Sequence, residues 1–154
     1  MRTSLALFVV AACGTESSEP GRIFDPCAPT VIAAPHATAS ELGSLEAAID
    51  MWRVHGATGL VRGDAPQLAL EFRDAAASIY GYYDDTSATV YINTRLDDPA
   101  ARAIAIAHEL GHALALIHID ESTRVSVMNP GNLTNAPNPA DRAALAELWG
   151  ACAP

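Results

Sequence analysis

The sequence predicts an α/β fold: a small sheet layered against helices, with a helical piece at the C-terminal end. Three observations predict it. Stretches of period-two alternation are interleaved with stretches of helical spacing. Their order is strand, helix, three strands, helix, irregular loop, helix, the alternation expected of a layered sandwich. The chain has 154 residues, 50% hydrophobic and 18% charged, enough to bury one core and no more.

The elements follow in order. Residues 30–34 (TVIAA) form a short apolar run that reads as the first strand. Residues 41–55 place Leu42, Leu45, Ala48, Ile49 and Trp52 at helical spacing, with Ser40 as N-cap and Gly56 as stop. Residues 67–73 alternate Leu68, Leu70 and Phe72 on one face, as a strand does. Residues 77–83 and 88–93 read as two further strands, joined into a hairpin by the turn Asp84-Asp85-Thr86-Ser87. The two carboxylates of that turn offer oxygens of the kind Ca²⁺ takes, or else face solvent as an ordinary turn. A long helix is expected over 98–116, with Pro99 in its first turn. A last helix opens at Asn138-Pro139 and ends near Gly150. No internal repeat is present.

Charge excludes several functions. Nine basic residues, all Arg, stand against eighteen acidic ones, a formal charge of -9. A nucleic-acid partner is not expected, because phosphate counterion displacement needs a basic face. No apolar run reaches the roughly 20 residues of a membrane span.

The N-terminal residues read as an address. Residues 1–12 carry Arg2, an apolar run and then small residues, the layout of a signal segment. Val10-Ala11-Ala12-Cys13 is similar to the bacterial lipobox, which implies cleavage before Cys13 and its acylation. The alternatives are an ordinary signal peptide, or a strand in which Cys13 is incidental. On the lipobox reading, residues 13–28 are an acylated Cys and a flexible tether (TESSEPG at its centre), and residues 29–154 are the folded domain. The protein would then be held in the cell envelope by a lipid, at the outer membrane or cell surface of a Gram-negative cell. Two cysteines remain, Cys27 and Cys152, near the two ends of the folded part. In an oxidising compartment they would form a disulfide. The alternative is that Cys27, between Pro26 and Pro29, caps a metal as a thiolate.

The chemistry concentrates in one segment. His108-Glu109-Leu110-Gly111-His112 falls within the long helix, where residues four apart share a face and can reach one metal ion. His118 adds a third imidazole six residues later. Three neutral nitrogens with an open fourth position suit a catalytic Zn²⁺. Glu109, one step from the first ligand, can reach a water on the metal without ligating it. The bland alternative is a satisfied core cluster of histidines.

The segment from His108 to His118 resembles the HExxHxxGxxH zinc signature of the metzincin metalloproteases. Ser126-Val127-Met128-Asn129-Pro130 is similar to the family's Met-turn, and Pro130 matches the matrixin branch rather than the astacin branch. Residues 138–150 resemble the helix that closes these domains. The likeness runs over about 41–150, and only 108–130 is specific.

The resemblance implies a zincin-like (metzincin) fold: a small twisted mixed sheet, an active-site helix beneath it, and a C-terminal helix after the Met-turn. It implies a zinc-dependent endopeptidase with one Zn²⁺ on His108, His112 and His118. Glu109 would be the general base and Met128 an apolar floor. The partner would be a peptide or protein, lying extended and antiparallel to the edge strand 77–83, where Tyr80, Tyr82 and Tyr83 sit. A monomer is expected. The runner-up is a catalytically weak or inactive zinc-binding surface lipoprotein that serves as a binding module.

One position departs from the signature: the family Gly is Ala115. His118 cannot face the His108–His112 metal from an uninterrupted helix, because six steps of 100° carry it off that face. The expectation is a left-handed turn at Ala115, at a strain of roughly 1 kcal/mol; the alternative is that the helix runs on and the chain turns at Leu116 or Ile117.

Overall fold

The computed structural model describes residues 21–152. Cys13 and the signal segment expected at 1–12 lie outside the described residues. The elements are β1 (Thr30–Ala33), α1 (Ala39–Val54), β2 (Leu60–Arg62), β3 (Leu68–Arg73), β4 (Gly81–Asp84), β5 (Thr89–Asn93), α2 (Pro99–Ala113) and α3 (Pro139–Trp149). They form one five-stranded sheet in the order β2-β1-β3-β5-β4. Every neighbouring pair is parallel except β4 with β5, so the sheet is mixed and mostly parallel.

Four details differ from the sequence reading, one being that the helix expected over 98–116 ends at Ala113, where the chain reverses. Helix α1 starts earlier, with Thr38 as its N-cap: Thr38 and Glu41 satisfy each other's backbone N–H groups in a capping box. Ser40 is inside the helix, and its hydroxyl accepts a hydrogen bond from the Arg102 guanidinium at 2.6 Å. Strand β2 was not expected. It has three residues and only Leu60 is buried, too short to show any alternation. The expected strand over 77–83 shrinks to Gly81–Asp84, because the Asn93 amide ties Ala75, Ala76 and Ile79 into a loop before it.

The core lies between the sheet and two helices. Ile32, Leu68, Leu70, Val90 and Ile92 point to one face and pack with Leu45, Ile49 and Trp52 of α1 and Ile106 and Leu110 of α2. The Trp52 indole N–H donates to the Ala107 carbonyl at 2.7 Å, pinning α1 against the middle of α2. On the other face Tyr82 stacks on Tyr91, and the Arg73 guanidinium lies 4.2 Å from the Tyr91 ring centre.

Cys27 and Cys152 are joined in a disulfide across 125 residues of chain. In the chain-entropy description such a loop stabilises the fold by roughly 4–5 kcal/mol. The alternative of a Cys27 thiolate on the metal is thereby overturned, since its sulfur is bonded to Cys152.

Helix α2 ends in a way that positions everything after it. Its last four carbonyls need partners outside the helix ladder. The carbonyl of Gly111 accepts from Leu116 and that of His112 from Ala115, both at 2.9 Å, which is the Schellman pattern. The Ala113 carbonyl accepts from Phe24 at 2.8 Å, and the Leu114 carbonyl from the Trp149 indole at 2.9 Å. Ala115 has φ +71°, so the left-handed turn expected at that position is made there. Ala115→Gly is expected to relieve this strain and stabilise the fold by about 0.5–1 kcal/mol, net of glycine's greater freedom when unfolded. Thermal melts of the two proteins check it; a lower midpoint for the variant would mean the Ala115 methyl packs better than its backbone is strained.

Candidate metal centre

The metal site is built from the end of α2 outwards. Residues four apart on α2 place the His108 and His112 imidazoles on one face, and the turn at Ala115 brings His118 back to them. His118 Nε2 lies 3.0 Å from His108 Nε2 and 3.2 Å from His112 Nε2. Four nitrogens at 2.0–2.1 Å around a tetrahedral zinc are about 3.3–3.4 Å apart, so the three imidazoles match a zinc site within a few tenths of an ångström.

The tautomers agree with that fit. His108 Nδ1–H donates to the Val127 carbonyl at 2.7 Å, and His112 Nδ1–H to the Leu116 carbonyl at 2.9 Å. Each Nε2 therefore carries a lone pair aimed at the common centre. Burial favours the neutral form of both rings. It pushes the His108 pKa down to about 4; the Val127 hydrogen bond acts in the opposite direction, and the other two imidazoles add to the depression. The His112 pKa is also lowered, chiefly by burial. Neutral imidazoles are the form that binds metal. Among the described residues this is the group of three that can hold an ion.

Glu109 points from the same helix turn into the space below β4. Burial raises its pKa to about 7, against a hydrogen bond from the Tyr83 main chain that lowers it. A Cβ on Gly81 would come within 3.0 Å of Glu109 Cγ, so the absence of a side chain there lets β4 pass close over the carboxylate. His108, Glu109, His112 and His118 share one cleft of about 600 Å³, walled by β4 on one side and Pro130 to Asn132 on the other.

Met128 is 1% exposed and lies beneath the metal-binding turn of α2. A Cβ on Gly111 would sit 2.4 Å from Met128 Sδ, so Gly111 is what lets the sulfur press against the helix between the two ligands. The Asp84-Asp85 turn holds no such cluster among the described residues. The Asp84 carboxylate accepts from the Thr86 and Ser87 amides and the Ser87 hydroxyl, and is occupied by its own turn.

Two functional residues escaped the sequence reading. Asp141, wholly buried near the start of α3, accepts from the Val127 amide at 3.1 Å, the Asn138 amide at 3.1 Å, the Arg124 guanidinium at 2.9 Å and the Ser126 hydroxyl. It thus holds Val127, whose carbonyl orients His108, directly through the Val127 N–H and indirectly through the Ser126 hydroxyl, which accepts from the Met128 N–H of that carbonyl's own peptide. Asn129 closes the same turn by accepting from the Ser126 amide at 2.8 Å and donating to Ile119 and Arg124 carbonyls. The signal for Asp141 was present, because Asn138-Pro139-Ala140-Asp141 is a capping box as well as a helix start. Nothing local showed that its carboxylate also faces the turn.

No protein-family model matches the chain, and no curated protein matches it. Among solved structures it is similar to the crystal structure of myroilysin, with a TM-score of 0.62 at 12% identity over 85% of this chain and 86% of that one. A second structure of myroilysin aligns with a TM-score of 0.49 at 16% identity over 64% of this chain and 52% of that one. The likeness to the first is one of fold.

Asp141→Asn is expected to weaken zinc binding about 10- to 100-fold, the range for partners that orient a ligand. Competition against a chromophoric chelator, read on protein whose circular dichroism is native, checks it. Unchanged affinity in the folded variant would leave Asp141 as a helix cap alone.

Proposed function

We propose that the protein is a zinc-dependent endopeptidase that works outside the cell, held to the envelope by an acyl group on Cys13. The observation that carries the reading is the convergence of three imidazole Nε2 atoms beside a buried carboxylate in an open cleft. A pure metal-binding module has no use for Glu109. The similarity of His108 to Met128 to the metzincin signature supports a matrixin-like member of that family, and the fold shared with myroilysin agrees with it. The disulfide supports an oxidising compartment.

His108, His112 and His118 would hold the zinc, which when bound polarises a water and the substrate carbonyl. The chain's own residues do the rest. The Glu109 carboxylate takes one proton from the attacking water as its oxygen bonds to the carbonyl carbon. It returns that proton to the amide nitrogen as the C–N bond breaks. Burial of Glu109 favours its proton-holding form, which the second transfer needs. The free edge of β4 offers main-chain groups to an extended peptide, and Met128 keeps the floor apolar. The protein is expected to act as a monomer on peptide or protein substrates.

Glu109→Gln is expected to keep the fold and the metal and to lower kcat by at least about 100-fold, because the amide cannot accept a proton near neutrality. Casein hydrolysis by the native protein should be abolished by a chelator and restored by Zn²⁺. A folded protein carrying one zinc per chain, with no turnover on any peptide library, would favour the surface-binding lipoprotein instead.

A further inference from the structure

The edge of the sheet that borders the cleft is not open along its whole length. Strand β4 pairs with β5 so that Asn93 N–H donates to the Tyr80 carbonyl at 2.9 Å. In an antiparallel ladder this alternates, so Tyr82 and Asp84 also turn their main-chain groups towards β5. Gly81, Tyr83 and Asp85 turn theirs towards the free edge. The Tyr83 N–H on that edge faces Glu109. The Asp85 carbonyl is engaged: Arg22 N–H donates to it at 2.9 Å. The next residues hold the crossing chain in place. The Tyr83 hydroxyl donates to the Arg22 carbonyl, Ile23 lines the cleft, and Phe24 N–H donates to the Ala113 carbonyl at the end of α2. Cys27 then fastens the segment to Cys152.

We infer that residues 21–25 form a strap that closes one end of the substrate groove and sets which peptides are cut. The inference rests on the peptidase reading and deepens it. A peptide lying along β4 finds Gly81 N–H, Gly81 C=O and Tyr83 C=O, and then meets Arg22. Tyr83 stands level with Glu109, and Asp85 is two residues further on, a distance of about 7 Å at 3.4 Å per residue. That leaves room for about two substrate residues between the reacting carbonyl and the strap. Antiparallel addition is the more stable per residue, and it points the peptide's N-terminal end at Asp85. The strap therefore favours peptides whose N-terminus lies within about two residues of the cleaved bond over longer chains, which the endopeptidase cuts internally only where they leave the sheet edge at Arg22.

The test uses two nested series of one peptide, one lengthened on the N-terminal side of its cleavage site and the other on the C-terminal side. The native protein gives kcat/KM, and Glu109→Gln gives Kd for the same peptides. Both constants should worsen by about tenfold once the N-terminal side exceeds two or three residues, the size of one or two lost ladder hydrogen bonds. C-terminal lengthening should leave them level or improve them. Arg22→Pro removes the donor to Asp85 and Phe24→Pro the donor to Ala113; either should flatten the N-terminal dependence, and Arg22→Pro changes an exposed residue with little at stake for folding. Constants that stay level or improve as the N-terminal side grows to six residues would overturn the strap, as would a dependence confined to the C-terminal side. Length-dependent Kd values with no turnover of any peptide would uphold the strap and sink the peptidase reading alone.

Discussion

The candidate metal site depends on one constraint: α2 has to stop within a residue of Ala113. Two ligands lie on the helix and the third does not, so the imidazoles converge only if the chain reverses before the next turn. A residue at φ +71° makes that reversal, and it is an alanine. What holds alanine in a region that costs it roughly 1 kcal/mol is the hydrogen bonding around it. Each of the last four carbonyls of α2 has a partner, and those partners come from three parts of the chain: the turn itself, Phe24 from the N-terminal segment, and Trp149 from α3. The termini of the folded part are therefore structural components of the metal site. The disulfide between them limits their separation in the unfolded chain as well as in the folded one.

The same logic explains the turn at Met128. His108 is oriented by one carbonyl, that of Val127, and Asp141 fixes that residue by accepting from its N–H and from the Ser126 hydroxyl that receives the Met128 N–H. A wholly buried carboxylate is costly unless its lone pairs are satisfied. Here the Ser126 hydroxyl, two amides and Arg124 satisfy them. Asp141 thus binds three elements into one unit: the N-terminus of α3, the Met128 turn and the loop bearing Arg124. Rigidity at His108 comes from α3, more than thirty residues further along the chain.

This separation accounts for what was legible in the sequence. The ligands His108 and His112 could be read because their relation is local: helical period alone puts them together. His118 and the reversal at Ala115 could be read because a straight helix fails geometrically. Strands carried by alternating Leu68, Leu70 and Phe72 were visible for the same reason. Thr38 was passed over for Ser40 because both are good caps, and only the reciprocal bond with Glu41 separates them. Strand β2 left no trace, because three residues owe their pairing to β1 and not to any pattern of their own. Asp141 and the strap at Arg22 were invisible in their second roles, since both act on residues far away in sequence.

Gly81 and Gly111 show how closely the site is fitted from both sides. Gly111 admits the Met128 sulfur below α2, and Gly81 admits the Glu109 carboxylate below β4. A methyl at Gly111 would meet a flexible side chain as well as the wall of Trp52; one at Gly81 would meet the Tyr91 carbonyl at 2.8 Å, which cannot swing aside. The edge strand and the helix can therefore lie close enough for the Tyr83 amide to reach Glu109 only while position 81 has no side chain. That closeness also buries the carboxylate and lifts its pKa towards neutrality. The strand that would align a peptide and the helix that would carry the base are thus adjusted at one point. On the peptidase reading, a residue with no side chain at position 81 would set both the path of the substrate and the environment of the carboxylate that acts on it.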